Sequence, residues 1–367
     1  MTKNAILLLL LFQLFTNISI AQTDIDKGLE LARNAITLMD EGKLDESIEL
    51  LEQAKKLDPE RMDYPYEIAY AYYKKEDYKK TIEILNTISE HKSVTDVVYQ
   101  LLGNSYDLIG KPEIALETYK KGMAKFPSSG KFHLESGSIK FHNEKYNEAI
   151  AFWEEGIKTN PNYSSNYYRL AKVFSQTEER LWTLIYGEYF LLLEPNTERT
   201  REISQLLYET YQKSYEVQSD TTGQFHLTEK GFEIQLKDKK DMRKLKKAPL
   251  PFEGTFAMAF AFSALDFQKN INIASIYKAR NDFLNFWYNE KKFNKSYPNK
   301  LFDYQKELLK EDLFQTYTYW ILSQGNWNEY EEWYAKNEKN FANFEKWFMA
   351  NRIDIKENDY NSRRDYQ

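Results

Sequence analysis

The chain has 367 residues with no cysteine, 13 glycines and 9 prolines, and its 50 Lys and Arg against 56 Asp and Glu give a formal charge of −6. Without cysteine there is no disulfide, thiol nucleophile, Cys-ligated zinc or iron–sulfur cluster, and no lipid on an N-terminal Cys; the mild acidity excludes a general nucleic-acid binder, whose backbone affinity rests on clustered positive charge. Glycine at about half its usual share of ~7%, beside 28 Tyr, 23 Phe and 7 Trp, disfavours a many-stranded β architecture and favours long helices.

Residues 1–21 read MTKNAILLLLLFQLFTNISIA. Lys3 supplies a positive start, Ala5 to Phe15 an apolar run broken only by Gln13, and Ser19 and Ala21 the small residues at −3 and −1 of a cleavage site. The pattern predicts a signal peptide removed after Ala21, so that the mature chain starts at Gln22. The run is short for crossing a ~30 Å hydrocarbon core. No transmembrane segment is predicted after cleavage; the longest later apolar run, Phe256 to Leu265, suits a buried helix. The expected location is the periplasm or the outer cell surface of a bacterium.

A period of 34 residues follows. Prolines stand at 59, 127, 161 and 195. Setting each at position 32 defines five units: 28–61, 62–95, 96–129, 130–163 and 164–197. Position 8 is small in all five, as Ala35, Ala69, Gly103, Gly137 and Ala171. Position 20 is also small, as Ser47, Thr81, Ala115, Ala149 and Thr183. Two antiparallel helices approach closely only where each presents a small residue, and the proline ends the second helix. One hairpin cannot bury its apolar face alone, so such units stack.

These residues resemble the tetratricopeptide repeat (TPR) family, over residues 28–197. The resemblance implies an all-α, α-α superhelical fold. Two departures stand out: Ser93 replaces the proline of the second unit, and Gly187 occupies a position that is bulky elsewhere. In that family the first helices line a partner-binding groove at positions 2, 5, 9, 12 and 13. Carried over, the groove residues are Tyr66, Tyr70 and Tyr73; Gln100, Asn104 and Asp107; Lys131, Leu134, Ser138 and Phe141; and Tyr168 and Lys172. Three tyrosines on one helix face suit an extended peptide, since each offers large area and a hydrogen-bonding tip. They equally suit covering a neighbouring unit. The carboxylate-clamp pattern of chaperone-binding relatives finds Asn104 and Arg169 but Gln100, Ser138 and Ser165 at its other positions, so the clamp is not supported.

Residues 198–219 read as a polar capping helix, with Gln205 where a sixth unit needs a small residue. Phe225 and Leu227, then Phe232, Ile234 and Leu236, alternate with polar residues around a turn and predict a β-hairpin. Residues 220–251 hold this hairpin and a basic linker, KDKKDMRKLKK at 237–247. That segment reads as a solvated connector or as a contact to an anionic envelope partner. A helical C-terminal domain is expected over 252–355, with segments 254–268, 270–291, 298–310, 311–324, 327–339 and 341–351. Its five tryptophans read as core. Residues 356–367 are polar and predict a disordered tail.

The four histidines, His91, His133, His142 and His226, form no metal-binding spacing. No glycine-rich phosphate loop and no nucleophile elbow occurs. No catalytic residue, metal or cofactor is assigned. The sequence therefore predicts a non-catalytic protein-interaction scaffold or assembly factor of the cell envelope, on fold analogy. Two other readings stay open: an envelope glycan- or lipid-binding module with the repeats as spacer, and a hydrolase in the C-terminal domain.

Overall fold

A computed structural model describes residues 23–219, 222–229, 232–235, 250–264, 267, 270–359 and 361–366. The predicted signal peptide and the basic segment 237–247 lie outside these residues. The fold is all-α apart from one small sheet. Helices pair as antiparallel hairpins: α1 (23–40) with α2 (Leu44–Leu57), α3 (Asp63–Lys74) with α4 (Tyr78–Ile88), and α5 (Asp96–Leu108) with α6 (Pro112–Lys125). Next come α7 (Lys131–His142) and α8 (Tyr146–Thr159), then α9 (Ser164–Phe174) paired with α10 (Arg180–Leu193).

The hairpins close where the small positions predict. A Cβ on Gly103 would stand 2.1 Å from Cε1 of Tyr119, so the α6 tyrosine lies directly over the α5 backbone. Ala69, Thr81, Ala115, Ala149, Ala171 and Thr183 are fully buried. A further small class joins one hairpin to the next. A Cβ on Gly122 would stand 2.5 Å from the Phe132 ring, and one on Gly156 would stand 2.5 Å from the Asn166 amide.

The turns share a device the 34-residue spacing did not reveal. Gly42, Glu76, Gly110 and Glu144, each 34 residues apart, are all left-handed, with φ of 80°, 62°, 75° and 61°. This conformation ends the first helix, and glycine adopts it without cost. Glutamate does so against a penalty of about 1 kcal/mol. Glu76→Gly is therefore expected to raise stability by about 0.5–1 kcal/mol, and Gly42→Ala to lower it by a similar amount, in paired urea titrations.

The chain divides into two compact units between Ile139 and Lys140, inside α7. The sequence reading ends the repeats at 197 and their cap at 219, whereas these compact units part inside α7. The cause lies in α10, RLWTLIYGEYFLLL, whose residues from Leu181 to Leu192 are all buried. A helix apolar on every side needs covering on every side. Later segments supply it: the Leu301 amide donates to the Tyr189 hydroxyl at 2.9 Å, and the Leu181 amide donates to the Leu227 carbonyl at 2.9 Å.

The predicted capping helix also stops early. α11 is Glu198–Lys213, opened by a capping box between Thr197 and Thr200. Tyr215–Ser219 is a strand, β1, pairing antiparallel with β2 (Thr222–Phe225), which pairs with β3 (Phe232–Gln235). The predicted hairpin is thus two strands of three. Tyr215 lies opposite Phe225, and their rings meet at 4.8 Å, which draws the chain out of the helix.

In the C-terminal part, α12 is Phe252–Ser263 and α13 is Ile273–Asn285, extended by a π-turn over Phe286–Glu290. α14 is Lys300–Lys310 and α15 is Phe314–Leu322. The last two predicted segments form one run, α16 (Trp327–Ala350), kinked at Asn337, whose side chain donates to the Trp333 carbonyl at 2.8 Å. Phe252, Phe283, Trp287 and Phe302 build a dense aromatic core. Among the described residues no helix is long and apolar enough to cross a membrane.

The expected disorder of 356–367 is overturned for 361–366. Tyr366 stacks on Phe252 with ring centroids 3.8 Å apart. Arg363 pairs with Glu154 and Glu179, each at 3.1 Å, and Asn361 donates to Tyr167 at 3.1 Å. The segment's polar side chains meet Glu154 and Tyr167, which are buried, and Glu179, which is partly exposed.

Candidate functional site

Within residues 23–139, the α3 tyrosines form a continuous row. Positions 66, 70 and 73 follow the i, i+4, i+7 spacing that shares one helix face. Tyr66 and Tyr70 stack with centroids 6.5 Å apart, and Tyr70 and Tyr73 at 6.4 Å. Tyr78 closes the row edge-on at 5.4 Å from Tyr73. Tyr66 and Tyr73 rest half-buried on the core, whereas Tyr70 is 37% exposed. Burial pushes the Tyr66 phenol up to about 12 and raises that of Tyr73, so both remain neutral donors at physiological pH.

Other groove positions of this unit are tied to neighbouring side chains and backbone. The Gln100 amide donates to Glu135 at 2.8 Å. Tyr119 donates to the Asn104 side-chain oxygen at 2.6 Å. Lys131 bridges to Asp96 at 3.0 Å. Burial alone would raise Asp96, but the Ser129 hydroxyl and the Lys131 ammonium outweigh it and hold the carboxyl below its ordinary range. Ser138 donates to the Leu134 carbonyl of its own helix, and Leu134 itself is buried. Asp107 and Glu135 both bear on Tyr73, raising its phenol. This face therefore presents an aromatic row beside carboxylates and amides, with Lys131 already neutralised.

Within residues 140–367, Phe141, Tyr168 and Lys172 stand at a separate cleft of about 790 Å³ or beside it. Its apolar wall is Phe141, Tyr146, Ile150, Trp153, Val173 and Leu206. Phe141 meets Tyr146 at 5.3 Å and Trp153 at 5.8 Å. Its polar rim is Arg169, Lys172, Gln176, Glu202, Gln205 and Glu209. Lys172 bridges to Glu202 at 2.6 Å, and the Tyr168 hydroxyl donates to the same carboxylate. Tyr168 does not line the cleft; it braces the rim.

Sequence reasoning missed Glu135, Glu202, Leu206 and Glu209. The signal for three of them existed. Counting from 198 as a sixth unit puts Glu202, Leu206 and Glu209 at positions 5, 9 and 12, and Gln205 at the helix-contact position disqualified that unit. In the structure α11 serves as a sixth first-helix, and Gln205 is exposed on the cleft. Among the described residues no three His, Asp or Glu side chains converge as metal ligands.

Stacked hairpins with a polar-tipped aromatic face define a helical-repeat binding protein. A family model, Tetratricopeptide repeat, matches residues 35–61, within the first hairpin. The same hairpin recurs at 34-residue spacing through α10, and the chain is a tetratricopeptide-repeat protein over this region.

Among solved structures, TTC0263, a thermophilic TPR protein in Thermus thermophilus, is 18% identical, with 49% of this chain and 98% of that one covered and a TM-score of 0.42. PilF of Pseudomonas aeruginosa is 14% identical, with 52% and 86% covered and a TM-score of 0.42. YrrB, described as a TPR protein with an unusual peptide-binding site, is 15% identical, with 46% and 87% covered and a TM-score of 0.32. Likenesses at this level carry no argument about function. No curated protein matches the chain.

Proposed function

We propose that this protein is a non-catalytic interaction scaffold of the bacterial cell envelope, holding a peptide or partner protein against the first-helix faces of its repeats. The observation that carries the reading is the row of Tyr66, Tyr70 and Tyr73. Three parallel rings, one of them 37% exposed and all with polar tips, offer large contact area at low conformational cost. Export is supported by the N-terminal pattern of Lys3, the apolar run and the Ser19 and Ala21 pair.

The test is Tyr70→Ala. Its exposure predicts a stability change within about 1 kcal/mol, as for most surface substitutions. Capture of a partner from a cell-envelope extract should fall by about thirtyfold, the effect of losing a ~2 kcal/mol anchor. Undiminished capture by Tyr70→Ala and by the double variant with Tyr66→Ala would reject the proposal.

A further inference from the structure

We infer that the cavity between α11 and the α15–α16 turn is a second site of different chemistry, which binds a neutral saccharide on the Trp327 ring. The cavity lies within residues 140–367, apart from the tyrosine row. It adds a small-molecule ligand to the scaffold reading and does not rest on it.

Three observations converge. The first is an aromatic ring left in solvent at a cavity. The space is about 340 Å³, at the small end of the roughly 300–1,000 Å³ typical of ligand pockets. Trp320, Trp327, Tyr330 and Phe341 supply its aromatic lining. The C-terminal tryptophans read as core in the sequence, yet Trp327 is 49% exposed. Tyr330 meets it at 5.3 Å, tilted by 42° instead of stacked on its face. Tyr330 and Phe341 lie eleven residues apart, about 16 Å along a straight helix, and their centroids are 6.4 Å apart. The kink at Asn337 therefore builds this wall.

The second is spare hydrogen-bonding capacity. Asn196, Ser204 and Gln324 also line the cavity. Ser204 is 3% exposed, and its hydroxyl accepts from the Gln324 backbone amide at 3.1 Å. Among the described residues no hydrogen bond uses its proton, and none uses the Asn196 side chain. The Gln324 side chain reaches Ser323 at 3.5 Å, a long contact. Burial pushes the Tyr330 phenol up to about 12, so it stays a neutral donor.

The third is charge. The charged lining is Glu198 and Arg201, 3.3 Å apart, which balance each other. The start of α11 is closed by its own capping box between Thr197 and Thr200. A charged ligand finds no counter-ion here. A sugar ring offers an apolar C–H face and a rim of hydroxyls that both donate and accept. The face covers the indole while the rim meets the amides and hydroxyls. A wholly apolar ligand would leave Ser204 and Gln324 unsatisfied beneath it.

The experiment probes a printed array of neutral, uronate-bearing and sulfated oligosaccharides with the full-length protein. The strongest ligand is then titrated by calorimetry. Neutral oligosaccharides should be retained. Trp327→Ala should weaken the ligand by about tenfold or more, and Trp327→Phe should recover most of the loss. Asn196→Ala should weaken it by about three- to tenfold, the effect of one hydrogen bond to a neutral group. Both positions are exposed, so melting temperatures should stay near that of the wild type. Tyr70→Ala should leave the affinity unchanged. Retention of no neutral saccharide, preference for uronate or sulfate, or affinity that survives both Trp327→Ala and Asn196→Ala overturns the inference.

Discussion

Replacing Glu188 with alanine should destabilise the protein by about 3–5 kcal/mol, the cost of stranding a buried charge. Glu188 is 4% exposed on α10, and one carboxylate oxygen accepts from Arg280 at 2.7 Å, Gln305 at 2.8 Å and Tyr317 at 2.8 Å. Arg280, also 4% exposed, lies 5.2 Å from the Phe314 ring centroid and 5.6 Å from that of Tyr317. Removing the carboxylate leaves a guanidinium in an aromatic shell with nothing to balance it. The argument has a second limb. Glu188→Leu combined with Arg280→Met removes both charges, so the double variant should lie closer to the wild type than Glu188→Ala does. Denaturant midpoints for the set check this. A double variant as unstable as Glu188→Ala would show that the pair stabilises beyond its desolvation cost.

Arg363→Ala should cost about 3 kcal/mol for the same reason, at the opposite end of the sequence. Glu154 is 2% exposed and depends on Arg363, at 3.1 Å, for its only ion pair among the described residues. Burial raises the Glu154 carboxyl above its ordinary value, and the Arg363 charge opposes that rise. A carboxyl raised in the folded state contributes stability fully below its unfolded value and loses that contribution as pH climbs through its folded value. Without Arg363 the folded value rises further, so the loss grows. The variant should therefore be destabilised strongly at neutral pH, and its deficit should shrink as pH falls. Melting curves across that range give the comparison. A deficit independent of pH would assign the effect to lost tail packing, Tyr366 on Phe252 included, and not to the charge.

What the residues declared in advance follows their physics. Small residues at 34-residue spacing must mark helix contacts, and Gly103 beneath Tyr119 is such a contact. The left-handed turn position was hidden because Glu76 and Glu144 occupy it where Gly42 and Gly110 do elsewhere. α10 is largely apolar and buried from Leu181 to Leu192, but which segments cover it depends on partners far along the chain. Arg280, Gln305 and Tyr317 converge on its Glu188 only in three dimensions. The tail shows the converse. Polarity was read as disorder, and it reflects pairing with Glu154, Glu179 and Tyr167.

At the candidate site the tyrosine row was legible from helical spacing alone. That Gln100, Asn104 and Lys131 are occupied by Glu135, Tyr119 and Asp96 was not, because those bonds join different helices. Arg169 matches one position of the family's carboxylate clamp in the sequence; that it bears on Glu202, across from α9 to α11, is a property of the folded surface.

The central claim is that the first-helix face meets another protein. The most direct measurement places a photo-crosslinking amino acid at position 70 in the intact cell, with the exposed Lys120 of α6 as the control position. The account predicts a discrete crosslinked protein from position 70 that is absent from position 120. No adduct at position 70, or the same adducts from both positions, would contradict it.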